Sequence, residues 1–207
     1  MIVTGVIQAG GKSMRMGGRP KALLEVGGRP IIERVIAAVA PSVSDLLIVT
    51  NTPELYAHLR LRMIPDVYPD HGSLGGIFSG LEAAAGAAAF TIACDMPFVH
   101  PDVVRLIVRR AGEADVVLPR VGEQLETLHA AYAKTCLPHI ESRLRGGRFK
   151  IVGFFDAVRV TEVAELEVAP FGDPEILFMN VNTPEELERA RTIAGASGGA
   201  GVPRHRA

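Results

Sequence analysis

The chain has 207 residues with 22 Lys plus Arg against 23 Asp plus Glu, a formal net charge of −1, and 48% of its residues are hydrophobic. That is the composition of one globular domain with a substantial core, and it excludes a disordered chain, a collagen-like chain and a general polyelectrolyte that binds nucleic acid. Two cysteines, Cys94 and Cys136, form no CxxC pair, which excludes a disulfide framework or zinc ribbon and points to a reducing, cytoplasmic compartment. The first residues lack a signal-peptide pattern, and no apolar run approaches the ~20 residues that span a bilayer.

Apolar β-branched runs alternate with helix-period segments, so the expected fold class is α/β, with a mixed, mainly parallel sheet flanked by helices. Residues 2–7 read as the first strand. A loop from 8 to 21 follows, and then Ile31, Ile32, Val35, Ile36 and Val39 recur at helical spacing behind Pro30, up to about Pro41. Strands are expected at 46–50 and 62–64, with a short helix at 53–59 between them. Leu74, Ile77, Phe78 and Leu81 mark a helix running into the alanines at 83–89, before a strand at 90–94 and an amphipathic helix at 101–110. A strand from 115 to 119 meets another at 125–132 with no room for a crossover helix, so an antiparallel element is expected to join the sheet. Residues 135–144 read as helix, 150–156 and 158–163 as short helical or strand pieces, 176–178 as a strand and 184–193 as a final helix. Residues 1–193 are expected to form one domain, and a flexible tail is expected at 194–207.

Open α/β sheets bind ligands at the carboxyl ends of their strands, which directs attention to the first loop, QAGGKSMRMGGRPK. Its four glycines allow close backbone approach, and Lys12, Arg15, Arg19 and Lys21 carry four positive charges with no acid among them. That imbalance points to a ligand with several phosphates. Neither a Walker A loop nor a GxGxxG fingerprint fits: Val6 stands where the first Walker glycine belongs, and Lys12 stands where the second glycine of the dinucleotide motif belongs.

The run AGGKSMRMGGRPKALLEVGGRPII resembles the signature loop of nucleotidyltransferases, most closely the molybdenum cofactor guanylyltransferases of MobA type, in which the pattern is approximately LAGGxSxRMGxxKxLL. Gln8 stands where that family has Leu. PDVYPDHGSLGGIFSGL, CDMPFVHPDVV and MNVNTPEEL resemble three further family segments in the same order, so the likeness spans nearly the whole chain before the tail.

The resemblance implies a Rossmann-like nucleotidyltransferase that joins GMP from GTP to molybdopterin or the molybdenum cofactor and releases pyrophosphate, with nucleotide binding in roughly residues 1–100 of the single domain and acceptor binding in 101–193. A recipient molybdoenzyme apoprotein or a cofactor-biosynthesis protein is a further implied partner; a membrane and nucleic acid are not. By this resemblance Gln8, Ala9, Gly10 and Gly11 bring backbone against the nucleotide, Arg15 and Lys21 bind the triphosphate, and Asp95 holds Mg²⁺. Asn51 and Asp66 match nucleoside-contacting positions, and Asn180 and Asn182 fall at the acceptor. Two local readings stay open here: Asn182 as a ligand group or as the cap of the helix at Pro184, and the glycines at 72–80 as a ligand cradle or as tight helix–sheet packing. Gly10, where cytidylyltransferase relatives carry Ala, leaves room for a purine and favours guanine. The alternatives are a CTP:molybdopterin cytidylyltransferase, a sugar- or polyol-phosphate nucleotidyltransferase, and a non-catalytic cofactor carrier.

Overall fold

A computed structural model describes residues 1–10 and 20–198. Gly11, Arg15 and the other residues of 11–19, and the last residues 199–207, lie outside the described residues.

Among the described residues ten strands and seven α-helices follow in order: β1 Val3–Gln8, β2 Glu25–Val26, β3 Arg29–Pro30, α1 Ile31–Val39, β4 Asp45–Val49, β5 Arg62–Ile64, α2 Gly72–Ala83, β6 Ala88–Ala93, α3 Pro101–Arg110, β7 Val116–Val121, β8 Gln124–Leu125, β9 His129–Ala133, α4 Leu137–Arg145, β10 Val160–Val163, α5 Glu165–Val168, α6 Pro174–Leu177 and α7 Pro184–Gly198. The main sheet runs β10-β7-β9-β6-β1-β4-β5, with β8 paired to β7. β1 is central, parallel to both β4 and β6. β9 is the antiparallel member, inserted between β6 and β7. As expected, it follows β7 without a crossover helix, because the short hairpin through β8 turns the chain back.

Two apolar layers clothe the sheet. On one face Ile31, Ile32, Val35 and Val39 of α1 and Val103, Val104 and Ile107 of α3 pack with Val3, Ile7, Phe90 and Ile92. On the other, Leu74, Ile77, Phe78 and Leu81 of α2 and Ile140 and Leu144 of α4 pack with Val6, Leu47 and Ala89. The alternation along β1 sends Val3 and Ile7 to one layer and Val6 to the other, the mark of a strand buried on both sides.

Several expected elements change in detail. A two-residue hairpin, β2–β3, precedes α1; its turn is Gly27 and Gly28 at φ +60° and +72°, the pair of positive φ values that a tight turn of this hand requires. Residues 53–59 form two 3-10 turns instead of one helix. The alanines at 83–89 divide: α2 ends at Ala83, and Ala88 and Ala89 already belong to β6. The strand expected at 176–178 is overturned. Pro174 opens a helical turn there, the Asp173 carboxylate accepts from the Glu175 amide, and Leu177 and Phe178 are buried by that turn. The last helix continues past Ala194 to Gly198.

Candidate active site at the carboxyl edge of the sheet

Because β1, β4, β5 and β6 are parallel, their carboxyl ends share one edge, and Gln8–Gly10, Asn51, Asp66 and Asp95 follow those ends. The ladder extends past the formal strands. The Ala9 amide donates to the Val49 carbonyl at 2.9 Å and the Cys94 amide to the Gln8 carbonyl at 3.1 Å, so the turns after β1, β4 and β6 start from one fixed frame. Ala9 is buried and Gly10 exposed at the start of the loop.

Lys21 reaches this edge through a chain of constraints. Its 3-10 turn, Lys21–Leu23, is anchored by the buried Ala22, and Val26 of the following hairpin is buried too. Arg34 of α1 clamps that hairpin to the turn after Asp95: its Nε donates to the Pro97 carbonyl at 2.8 Å and its Nη1 to the Val26 carbonyl at 3.2 Å. On the other side Arg191 of α7 donates to the Glu25 carbonyl at 3.2 Å. The start of α7 is tied to the same place, since the Val181 amide donates to the Asp95 carbonyl at 2.9 Å. The result is a hydrogen bond across the whole chain, from Lys21 Nζ to Asn182 Oδ1 at 2.9 Å.

The open reading of Asn182 is resolved by its neighbours. Thr183, not Asn182, caps α7: its hydroxyl accepts from the Glu186 amide at 3.2 Å while Glu186 accepts from the Asn182 and Thr183 amides at 2.5 and 2.9 Å. This is a capping box, and it leaves the Asn182 carboxamide to Lys21. Asn180 lies two residues earlier, its side chain donating to the Phe178 carbonyl at 3.3 Å.

Asp95 is half-buried, and among the described residues its buried Oδ1 has no hydrogen-bond partner. Burial pushes its carboxyl above the ordinary carboxylate range, the Lys21 ammonium and its own backbone amide pull it back down, and the Glu186 carboxylate raises it again. An unpaired, desolvated carboxylate oxygen facing a lysine is the oxygen donor that a hard dication takes, and Mg²⁺ is commonly held by one or two carboxylates plus substrate phosphates. No cluster of three or more His, Cys, Asp or Glu suited to a metal occurs among the described residues.

On the far side of β1 the polar groups are closed upon one another. Asn51 Oδ1 accepts from the Asp66 amide at 2.9 Å, and Asp66 Oδ1 accepts from the Tyr68 amide at 3.0 Å and the Ser79 hydroxyl at 2.8 Å. Ser79 also accepts from the Val67 amide at 3.0 Å. The glycines of α2 serve packing: a Cβ on Gly80 would lie 2.2 Å from Val6, and one on Gly75 2.7 Å from the Tyr68 carbonyl. At Gly76 a Cβ would meet the Gln8 carboxamide at 2.6 Å, so the Gln8 side chain lies under α2, where its Nε2 is buried and unpaired.

Sequence reasoning named Lys21, Asn182, Asp95, Asn51, Asp66 and Gln8, and the fold brings them to one edge in two linked groups. It missed Arg34, Ser79 and Glu186, which hold the others in place. The Thr183-x-x-Glu186 spacing was a readable cap signal; nothing local marks Arg34 or Ser79.

A central parallel strand running into Ala9 and Gly10, with a lysine and a strand-end aspartate beside it, fits a phosphate-handling α/β enzyme. Residues 5–157 match the family described as the MobA-like NTP transferase domain, and the chain belongs to that family of nucleotidyltransferases. It is 41% identical over 191 residues to a protein from Pelotomaculum thermopropionicum named probable molybdenum cofactor guanylyltransferase, covering 92% of this chain and 93% of that one. A molybdenum cofactor guanylyltransferase from Desulfosudis oleivorans is 39% identical, covering 94% and 96%. Among solved structures, molybdopterin-guanine dinucleotide biosynthesis protein A from Archaeoglobus fulgidus superposes with a TM-score of 0.81 at 25% identity, over 94% of this chain and all of that one. Among the described residues no helix is long and apolar enough to cross a membrane.

Proposed function

We propose that this protein is a Mg²⁺-dependent guanylyltransferase that joins GMP from GTP to the phosphate of molybdopterin or the molybdenum cofactor. The products are pyrophosphate and the guanine dinucleotide form of the cofactor. The observation that carries the reading is the Lys21–Asn182 hydrogen bond beside Asp95, which unites the first and last motifs of the chain at one site. The guanylyltransferase names of relatives at 39–41% identity, over nearly the full length, support the nucleotide and the acceptor.

In the transfer, an acceptor phosphate oxygen forms a bond to the GTP α-phosphorus as the bond to the β-phosphate oxygen breaks, and pyrophosphate carries the electron pair away. The protein's task is alignment and charge. Ala9 and Gly10, with Gly11, present backbone to the nucleotide, and Gln8 and the Asn51–Asp66 pair shape the nucleoside side. Lys21 places a point charge on the phosphates and, by its bond to Asn182, fixes the neighbouring acceptor segment around Asn180. Arg15 contributes a guanidinium fork to the same triphosphate. Asp95 would hold Mg²⁺ through its unpaired Oδ1; bound there with substrate phosphates, the ion neutralises charge on the transferring and leaving groups. The two free cysteines, Cys94 and Cys136, accord with a cytoplasmic location.

The test is pyrophosphate release by purified protein with each of the four NTPs, against molybdopterin, molybdenum cofactor and a panel of sugar and polyol phosphates, with and without Mg²⁺. The expected result is turnover with GTP and a molybdopterin acceptor that needs Mg²⁺. Dominant turnover with CTP or with a sugar phosphate overturns the assignment, and binding without turnover makes the protein a carrier.

A further inference from the structure

Resting on that reading, we propose that Glu126 is a recognition residue for the acceptor, its carboxyl group accepting from adjacent N–H donors such as those on the pterin edge of molybdopterin. The argument begins with strand direction. β9 is antiparallel to β6, so the start of β9 lies beside the end of β6: Ile92 pairs with His129, and the Ala93 amide donates to the Leu128 carbonyl at 3.2 Å. From this pairing the two chains leave the sheet at the same edge, β6 forward to Asp95 and β9 backward to Glu126. Adjacent strands are about 4.8 Å apart, so the Glu126 turn sits one strand position from the Asp95 turn, on the side away from β1 and the nucleotide loop.

The turn is rigid. The Glu126 amide donates to the Pro119 carbonyl at 2.9 Å, and its carbonyl accepts from the His129 amide at 3.1 Å. The segment carrying Asn180 and Asn182 closes over the same strand, because the Phe178 ring stands edge-to-face on His129 at 5.0 Å. The Glu126 turn therefore leaves the sheet beside the end of β6, from the strand whose His129 packs on Phe178 of the acceptor segment.

Its side chain has no structural employment there. Glu126 is 9% exposed, yet among the described residues it makes no side-chain hydrogen bond or ion pair, and burial raises its carboxyl from 4.5 to about 7. A mostly buried carboxyl group that makes no hydrogen bond costs stability that a leucine would spare. Asp66, the corresponding carboxylate across the edge, is held by an amide and a hydroxyl, whereas Glu126 has its lone pairs available. A 2-amino-4-oxo pyrimidine ring presents an N–H and an amino group side by side, the donor pair that matches two carboxylate oxygens.

The experiment is steady-state kinetics of wild type, E126Q and E126D with molybdopterin and with GTP as the varied substrate, together with melting temperatures. In E126Q the amide turns one acceptor into a donor. We expect its KM for molybdopterin to rise roughly tenfold or more, the cost of a lost hydrogen bond to a charged group, with KM for GTP within about twofold and a melting temperature no lower than wild type. E126D, which keeps the carboxylate on a shorter stem, should recover part of the loss. Wild type active on molybdopterin with E126Q unchanged in molybdopterin KM overturns the role of Glu126 alone. So does an E126Q that only melts earlier, or one whose KM values for both substrates rise together. Wild type that transfers only to a sugar phosphate overturns the acceptor reading itself and the pterin contact with it.

Discussion

The two flanks of β1 treat polar groups in opposite ways. Beyond β4 and β5, Asn51, Asp66 and Ser79 satisfy one another and the amides of Asp66, Val67 and Tyr68, so that flank has its shape before any ligand arrives. Toward β6 and β9, among the described residues, Asp95 Oδ1 is buried without a partner and the mostly buried Glu126 makes no side-chain hydrogen bond. Buried polar atoms in native proteins are overwhelmingly paired, so the unpaired Asp95 Oδ1 at this edge is where a ligand can complete the structure. The closed flank holds its geometry, and the open flank spends stability to keep binding capacity.

Substitutions should expose that difference. Asp95→Asn is expected to lower Mg²⁺-dependent pyrophosphate release on the order of 10³-fold while leaving the melting temperature unchanged or higher, because it removes a desolvated charge. Activity near wild type, or loss of the fold, would break the contrast. Lys21→Ala should raise KM for GTP and lower kcat, together about 10²-fold in kcat/KM, and Asn182→Ala about tenfold. Since the two share a hydrogen bond, the double variant should lose less than the product of the singles; strict additivity in this cycle would show that the bond does no positioning.

On the closed flank the sign reverses. Ser79→Ala removes the hydroxyl that joins Asp66 to Val67 and should cost about 1–3 kcal/mol of stability by chemical denaturation, with an effect on activity smaller than that of any open-flank variant. The smallest effect is expected at His129, under both flanks' shared core. It is 1% exposed between Phe90 and Phe178, neither ring nitrogen has a partner, and burial lowers its pKa from 6.5 to about 3. The unfolded chain takes up this proton below about 6.5 and the folded chain only near 3, so stability from His129 is present above 6.5 and is lost as pH falls toward 3. His129→Leu should flatten that acid limb of the melting-temperature profile by a few degrees; an unchanged profile would mean that His129 titrates alike in the folded and unfolded chain.

Much of this was legible along the chain. The β-branched runs at β1, β4 and β6 and the amphipathic spacing of α1 and α3 give the α/β class, because burial on two faces and on one stripe impose different periods. The cationic loop, the strand-end Asp95 and the Asn182 segment could be marked as chemistry from residue type and position. The failures were short and local. Pro174 with Asp173 turned an apolar triplet into a helical turn, since three residues carry too little period to separate strand from helix, and the β2–β3 hairpin hid in Gly27-Gly28 because two-residue strands have no period at all.

By itself the sequence determined which residue types were available for phosphate chemistry and in what order the elements would form, because periodicity and turn chemistry act over a few residues. Only the tertiary structure decided that Lys21 meets Asn182, that Thr183 rather than Asn182 caps α7, that Arg34 holds the Lys21 hairpin to the Asp95 turn, and that Glu126, mostly buried, makes no side-chain hydrogen bond among the described residues. Those are pairings between distant segments. Whether a polar group is satisfied depends on what the sheet order and helix docking place within about 3 Å of it, a distance no local pattern encodes.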